Sequence, residues 1–224
     1  MGVKNSEEEQ TRLNELLVYE KLYYEEGAEY IAGVDEVGRG PLAGPVLACA
    51  VILPKGLLIE GINDSKKLTE KRREKLDKII RESAVGVSIG IVDPMTIDEI
   101  NILQATIKAM TSAVNGLATQ PDAVLTDALK LPGVKIRQKA IVNGDSLSMS
   151  IAAASIVAKV ARDKMMRDYH EVYPEYGFDQ HKGYGTKKHI ESIRLCGLCP
   201  IHRVSFSSKF ICEGEDRRQA ENAL

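Results

Sequence analysis

Residues 33–46 read Gly-Val-Asp-Glu-Val-Gly-Arg-Gly-Pro-Leu-Ala-Gly-Pro-Val. The apolar run Tyr30-Ile31-Ala32 leads into them, so residues 30–36 are predicted to form a buried strand. Asp35 and Glu36 then sit side by side on that strand. Adjacent carboxylates repel, and each raises the other's pKa unless a cation joins them. The turn Gly38-Arg39-Gly40 begins two residues later. Its glycines let backbone N–H groups approach a ligand, and Arg39 adds a positive charge suited to phosphate. A dinucleotide-binding loop does not fit, because Pro41 follows and the next segment is strand-like rather than helical. The stretch points to divalent metal and phosphoester chemistry.

Outward from this strand, residues 46–53 read as a second strand across a Gly/Pro-rich turn. Thr69 opens a charged helix to about residue 83, and residues 85–92 alternate apolar and small side chains as a third strand. Ile97, Ile100, Leu103, Ile107, Met110, Val114 and Leu117 fall on one face of a predicted helix. Residues 123–125 form a short strand leading to Asp127, and 135–142 another that ends at Asn143-Gly144-Asp145. Residues 148–169 predict a helix with a small-residue face (Ala152, Ala153, Ser155, Ala158, Ala161) able to lie close against a sheet. Residues 187–195 are a last helix, and 7–27 a helix ending at Gly27. Three successive strands followed by helix–strand alternation predict an α/β fold, a central mixed β-sheet flanked by α-helices. The expected division is a helical extension over 1–27, a catalytic domain over 28–206 and a short tail over 207–224.

The composition, 44% apolar and 28% charged, is that of an ordinary soluble globular domain. No apolar run reaches the ~18 residues needed to span a bilayer. The polar, acidic N-terminus lacks the basic start and apolar core of a secretion signal, so a cytoplasmic location is expected. It matches the short myristoylation pattern Met-Gly-x-x-x-Ser, which carries little weight by itself. Cys49 lies in an apolar run and reads as core. Cys196-Gly-Leu-Cys199 has metal-type spacing but no second pair, so reduced thiols are favoured over zinc completed by His202 and by Cys212 or a distant residue. A net charge of −2 gives no global footprint for nucleic acid. Locally, Lys182, Lys187 and Lys188 cluster with two histidines, and Lys159, Arg162, Lys164 and Arg167 recur on one helix, while acids gather at 7–9 and 213–216.

Carboxylates recur at strand ends: Asp35 and Glu36, Asp127, and Asp145. Strand ends distant in sequence meet within a sheet, so these four are the candidate metal ligands. Mg²⁺ and Mn²⁺ favour oxygen ligands and borrow phosphate oxygens from substrate. Two such ions roughly 3.5–4 Å apart hold both the attacking and the leaving oxygen of an in-line displacement. Taken singly, Asp145 fits equally an Asx turn with Ser146, and Asp127 a cap before Pro132. Tyr184, flanked by glycines in a basic loop, reads either as a ring that stacks on a sugar or base or as a packed surface tyrosine. Lys66, in the loop Asn-Asp-Ser-Lys-Lys-Leu at 63–68, reads either as a phosphate contact or as a solvated charge.

Together these segments resemble the bacterial type 2 ribonuclease H family, ribonuclease HII, over about residues 31–206. The resemblance rests on 33–46 and 63–68, on Asn-Ile-Leu-Gln-Ala-Thr at 101–106, Gly-Asp-Ser at 144–146, Ala-Ala-Ala-Ser-Ile-Val-Ala-Lys at 152–159, His-Lys-Gly-Tyr-Gly-Thr at 181–186 and Pro-Ile-His-Arg-Val-Ser-Phe at 200–206. It implies a ribonuclease H-like fold and an endonuclease acting on RNA–DNA hybrids and on ribonucleotides embedded in duplex DNA. Cleavage is expected 5′ of the ribonucleotide, leaving 3′-hydroxyl and 5′-phosphate ends, with Mn²⁺ or Mg²⁺. By motif position Asp35, Glu36, Asp127 and Asp145 resemble the catalytic acids. Gly38, Arg39 and Gly40 resemble the element that senses the ribose 2′-hydroxyl, the group that distinguishes RNA from DNA. Tyr184 resembles the tyrosine that packs on the adjoining deoxyribose. A monomer is expected, without membrane attachment. Two departures stand out. Only eighteen residues follow Phe206, where the family commonly adds helices, and residues 1–27 lie outside the matched motifs. Another nuclease or phosphoesterase on the same fold, or a duplex-binding module without activity, are the competing readings; the intact acid set speaks against the latter.

Overall fold

A computed structural model describes residues 3–211. Gly2 of the myristoylation pattern, Cys212 and the acidic run 213–216 lie outside the described residues. The described chain forms two compact units. One holds the residues up to Val37 together with Leu47–Ile91 and Thr106–Val160; the other holds Gly38–Val46, Val92–Ala105 and the residues from Ala161 on.

The first unit is built on a mixed sheet. β1 (Ile31–Val37) pairs antiparallel with β2 (Val46–Ile52), Asp35 opposite Cys49. The other edge of β1 takes β4 (Ala123–Asp127) in parallel, and β5 (Arg137–Ile141) continues parallel to β4. With β3 (Gly86–Val92) beyond β2, the order is β3-β2-β1-β4-β5. β1 is thus the middle strand, and every residue of β2 is buried, which explains why Val-Leu-Ala-Cys-Ala-Val-Ile has no polar alternation. The expected sheet flanked by helices is what forms.

Helix α3 (Glu70–Ser83) starts where Thr69 accepts a hydrogen bond from the Arg72 backbone N–H. Helix α5 (Met149–Val172) buries Ala152, Ala153 and Ala154 completely. Its first turn comes so close to β1 that a Cβ on Gly33 would lie 2.1 Å from the Ser150 carbonyl carbon. Glycine at 33 is therefore required by the approach of a helix backbone. Leu76 and Ile80 of α3, Cys49 and Val51 of β2, and Met149, Ile156 and Val157 of α5 share one core.

Two helices depart from expectation. The segment expected as one helix to Gly27 is α1 (Val3–Glu15) and α2 (Val18–Glu25). The carbonyl of Leu16 leaves the helical ladder to accept from Met149 N–H at 2.8 Å, and Leu16 and Leu17 are buried in the same core as α5. Helix α4 (Pro94–Asn115) is broken at Asn101 (φ 67°, ψ 164°). The Asn101 side-chain oxygen accepts from the N–H groups of Leu103 and Gln104 at 3.0 and 3.2 Å, capping a new helix start. The break shifts the phase of the apolar face. Ala105, Ala109, Met110, Ala113 and Val114 are buried, whereas Leu103 is 42% exposed. The single-face reading fails there because it assumed an uninterrupted 3.6-residue period.

The second unit includes α6 (Phe178–His181), α7 (Lys187–Cys196) and α8 (Val204–Ser207), around a core of Leu42, Ala43, Met166, Tyr176, Phe178, Ile193 and Ile201. Cys49 is fully buried, and burial pushes its thiol pKa up; Cys196 and Cys199 are free thiols. No helix among the described residues is long and apolar enough to cross a membrane.

Candidate metal centre and sugar-facing turn

The parallel register of β1 and β4 pairs Val34 with Thr126. One residue further on, Asp35 and Asp127 are level on neighbouring strands. Glu36 joins them, and one carboxylate oxygen from each of Asp35, Glu36 and Asp127 lies within 4.8 Å of the other two. Among the described residues this is the one group of three or more acidic, histidine or cysteine side chains so placed.

Asp35 and Asp127 are held in place. Asp35 is 5% exposed and accepts a hydrogen bond from the Glu36 N–H at 2.8 Å. It is also hydrogen-bonded to the side chain of Ser155 on α5, whose hydroxyl in turn lies 2.9 Å from that of buried Ser65. Burial, and then the charges of Glu36 and Asp127, hold the Asp35 carboxyl well above the usual range. Asp127 accepts from the Gly144 N–H at 2.8 Å.

Asp145 lies in the 3₁₀ turn Gly144–Ser146 and is 7% exposed. It stands outside the trio. Together with Asp127, Asp64, Lys66 and Lys67 it lines a polar cavity of about 460 Å³. Burial raises its pKa, and the charges of Asp64 and Asp127 raise it further. Lys66 faces Asp145, Asp35, Asp64 and Asp127; burial disfavours its charge, but the four carboxylates outweigh this and its pKa rises. Of the four expected acids, three thus bring carboxylate oxygens within 4.8 Å of one another, and one lies on the flank.

Asp64, Ser65 and Ser155 were not singled out from sequence. Asp64 precedes Lys66 and Lys67 by two and three residues, a weak signal; in sequence Ser155 belongs to a small-residue stripe, and only folding turns it toward Asp35.

The second unit brings together the turn and the loop expected to contact sugar. A Cβ added at Gly40 would lie 3.9 Å from the Tyr184 ring, and Leu42 N–H donates to the Gly183 carbonyl at 2.8 Å. The Tyr184 ring is 43% exposed. Its backbone is anchored by buried histidines. His189 Nδ1 donates to the Tyr184 carbonyl at 2.9 Å, so His189 Nε2 must accept from His202 Nε2 at 3.1 Å. His202 Nδ1 then accepts from the Cys199 N–H at 3.0 Å. That polarity needs both rings neutral, and burial lowers each pKa to about 4. The ring of His181 stacks on His189 with centroids 4.4 Å apart.

Comparison with known proteins follows the same lines. The family model described as ribonuclease HII matches residues 32–209. Ribonuclease HII of Acetivibrio thermocellus is 58% identical over 205 residues, 92% of this chain and 80% of that protein. Ribonuclease HII of Caldanaerobacter subterraneus subsp. tengcongensis is 55% identical over 92% of this chain and 85% of that protein. Among solved structures, ribonuclease H2 from Pyrococcus horikoshii OT3 superposes with a TM-score of 0.67 at 28% identity, covering 87% of this chain and 98% of that one.

Proposed function

The chain belongs to the ribonuclease HII family, hydrolases that cleave the RNA strand of RNA–DNA hybrids with the help of divalent metal, and we propose that Asp35, Glu36 and Asp127 are its metal ligands, with Asp145 completing the set. The observation that carries this reading is the convergence of three carboxylates from two neighbouring strands.

The donor set fits the cation. It consists of hard carboxylate oxygens alone, which suits Mg²⁺ or Mn²⁺. One of its members, Asp35, is buried where a lone negative charge is costly and two like charges make it more so. A bound divalent ion supplies Lewis-acid polarisation of a phosphate oxygen and a lowered pKa for coordinated water.

The chain's own groups do the rest. Ser155 and the Glu36 N–H fix Asp35, and the Gly144 N–H fixes Asp127, so the ligands are ordered before substrate arrives. Lys66 directs a positive charge into the cavity, suited to a phosphate backbone. Gly38, Arg39 and Gly40 read the ribose 2′-hydroxyl, and the exposed ring of Tyr184 packs on the adjoining sugar. Cleavage falls 5′ of a ribonucleotide, in hybrids and at single ribonucleotides in DNA, leaving 3′-hydroxyl and 5′-phosphate ends. The enzyme works as a cytoplasmic monomer.

A labelled DNA duplex carrying one ribonucleotide tests the reading. Cleavage 5′ of that nucleotide with Mn²⁺ or Mg²⁺, abolished by chelator, is expected. Equal cutting of an all-DNA duplex, or cutting undiminished by chelator, would remove it.

A further inference from the structure

Two arginines, Arg162 and Arg203, are fully buried. Both direct their guanidinium groups at backbone carbonyls of residues 38–45. Arg203 donates through Nε to Gly44 O (2.9 Å), through Nη1 to Arg39 O (2.9 Å), and through Nη2 to Gly38 O (2.5 Å) and Gly44 O (2.8 Å). Arg162 donates to Pro45 O (3.1 Å), Ala43 O (3.2 Å) and Lys182 O (3.0 Å), tying the turn to the loop that precedes Tyr184. Gly38, at φ +92°, leaves no room for a side chain: a Cβ there would meet Arg162 Nε at 2.3 Å.

The contacts of Arg203 determine which way the turn's peptides face. In a trans peptide, the carbonyl and the N–H lie in one plane and point in opposite directions within it. No described peptide is cis. The Gly38 carbonyl shares its plane with the Arg39 N–H, and the Arg39 carbonyl with the Gly40 N–H. With both carbonyls drawn onto one buried guanidinium, both N–H groups face away from it, on the side where Arg39 and Gly40 are exposed. Only a planar fork with several donors can draw in two successive carbonyls and Gly44 at once. Its own position is fixed too: Arg203 N–H donates to Leu42 O at 2.8 Å, and the guanidinium lies 5.3 Å from the Phe206 ring centroid.

We infer that Arg203 is a positioning residue for ribose selection: its guanidinium orients the Gly38–Gly40 peptides so that their N–H groups face the sugar. It touches neither substrate nor metal. The inference rests on the reading of this turn as the ribose sensor. A lysine at 203 reaches one or two carbonyls and leaves the peptide planes free to rotate, so ribose discrimination should fall while the metal site is unaffected.

The test uses the full chain with two matched duplexes, one with a single ribonucleotide and one all DNA, in saturating Mn²⁺. Arg203→Lys is expected to melt cooperatively, to lose at least about tenfold in kcat/KM on the ribonucleotide duplex, and to keep the wild-type half-saturating Mn²⁺ concentration. Guanidinium ion added to Arg203→Ala should restore part of the lost rate. Arg203→Gln, which removes the buried charge but keeps a planar donor, is the second variant. Wild-type selectivity in a folded Arg203→Lys protein overturns the inference. So does a fall accompanied by an equal shift in Mn²⁺ dependence, or a rate that guanidinium leaves unchanged. Loss of folding in both Lys and Gln variants overturns it as well, since the residue then serves stability alone. If the wild type itself fails to distinguish the two duplexes, the ribose-sensor reading falls first, whatever Arg203 does.

Discussion

Asp35→Asn probes the carboxylate cluster through stability as well as activity. Asp35 is 5% exposed and lies within 4.8 Å of carboxylate oxygens from both Glu36 and Asp127. Two full charges at the 4.8 Å limit repel by about 3.5 kcal/mol at an effective dielectric of 20. Protonation relieves part of this in metal-free protein, because burial and the two neighbours raise the Asp35 pKa. A folded-state pKa above the unfolded value means stability that is complete in acid and is lost as pH climbs. Asparagine keeps the shape, still accepts from the Glu36 N–H and removes the charge. In chelator at pH 8 the variant should therefore melt a few °C above wild type, each kcal/mol of relieved repulsion being worth roughly 2–4 °C in a chain of this size. The gap should narrow toward pH 5. The same variant should lose cleavage, and most of the melting increase that Mn²⁺ or Mg²⁺ gives the wild type. Thermal melts with and without chelator, paired with the cleavage assay, measure all of this. A variant that melts below wild type in chelator at pH 8, or cuts at the wild-type rate, would refute the argument.

Other substitutions separate the remaining parts. Gly33→Ala forces a Cβ to 2.1 Å from the Ser150 carbonyl carbon and should cost about 3 kcal/mol or more, read as a lower urea midpoint. Lys66→Met should weaken hybrid binding in low salt and reduce the slope of log K against log salt by about 0.9, the share of one phosphate contact; an unchanged slope counts against that contact. Tyr184→Ala should reduce turnover on the single-ribonucleotide duplex while leaving the Mn²⁺ titration where it was. His189 and His202, with folded-state pKa values lowered to about 4, refuse protons that the unfolded rings accept below about 6.5. Stability should thus be complete above that value and fall as pH drops toward 4, by about 2 kcal/mol for the pair at pH 5 after allowance for screening. His202→Gln should flatten this part of the urea profile.

The strands were legible because their signals are local. Residues 46–53 are apolar throughout, since β2 is buried on both faces, and Asp35 with Glu36 announces itself as two like charges in a buried segment. Helix phase was less so. The break at Asn101 depends on its side chain capping the amides of Leu103 and Gln104, and the end of α1 on Leu16 giving its carbonyl to Met149, a partner far along the chain. Neither a single-side-chain cap nor a long-range hydrogen bond leaves a periodic trace.

By itself the sequence determined which residue types were present for metal and sugar chemistry, and the strand ends at which they sit. Tertiary packing is what brings Asp127 level with Asp35, sets Asp145 to one side in the cavity it shares with Asp64, and turns Arg203 toward the carbonyls of Gly38 and Arg39. The physical reason is that strand register and buried donor–acceptor pairing are set by packing over the whole chain. A carboxylate or guanidinium has the same local appearance whether it meets water, a carbonyl or another charge.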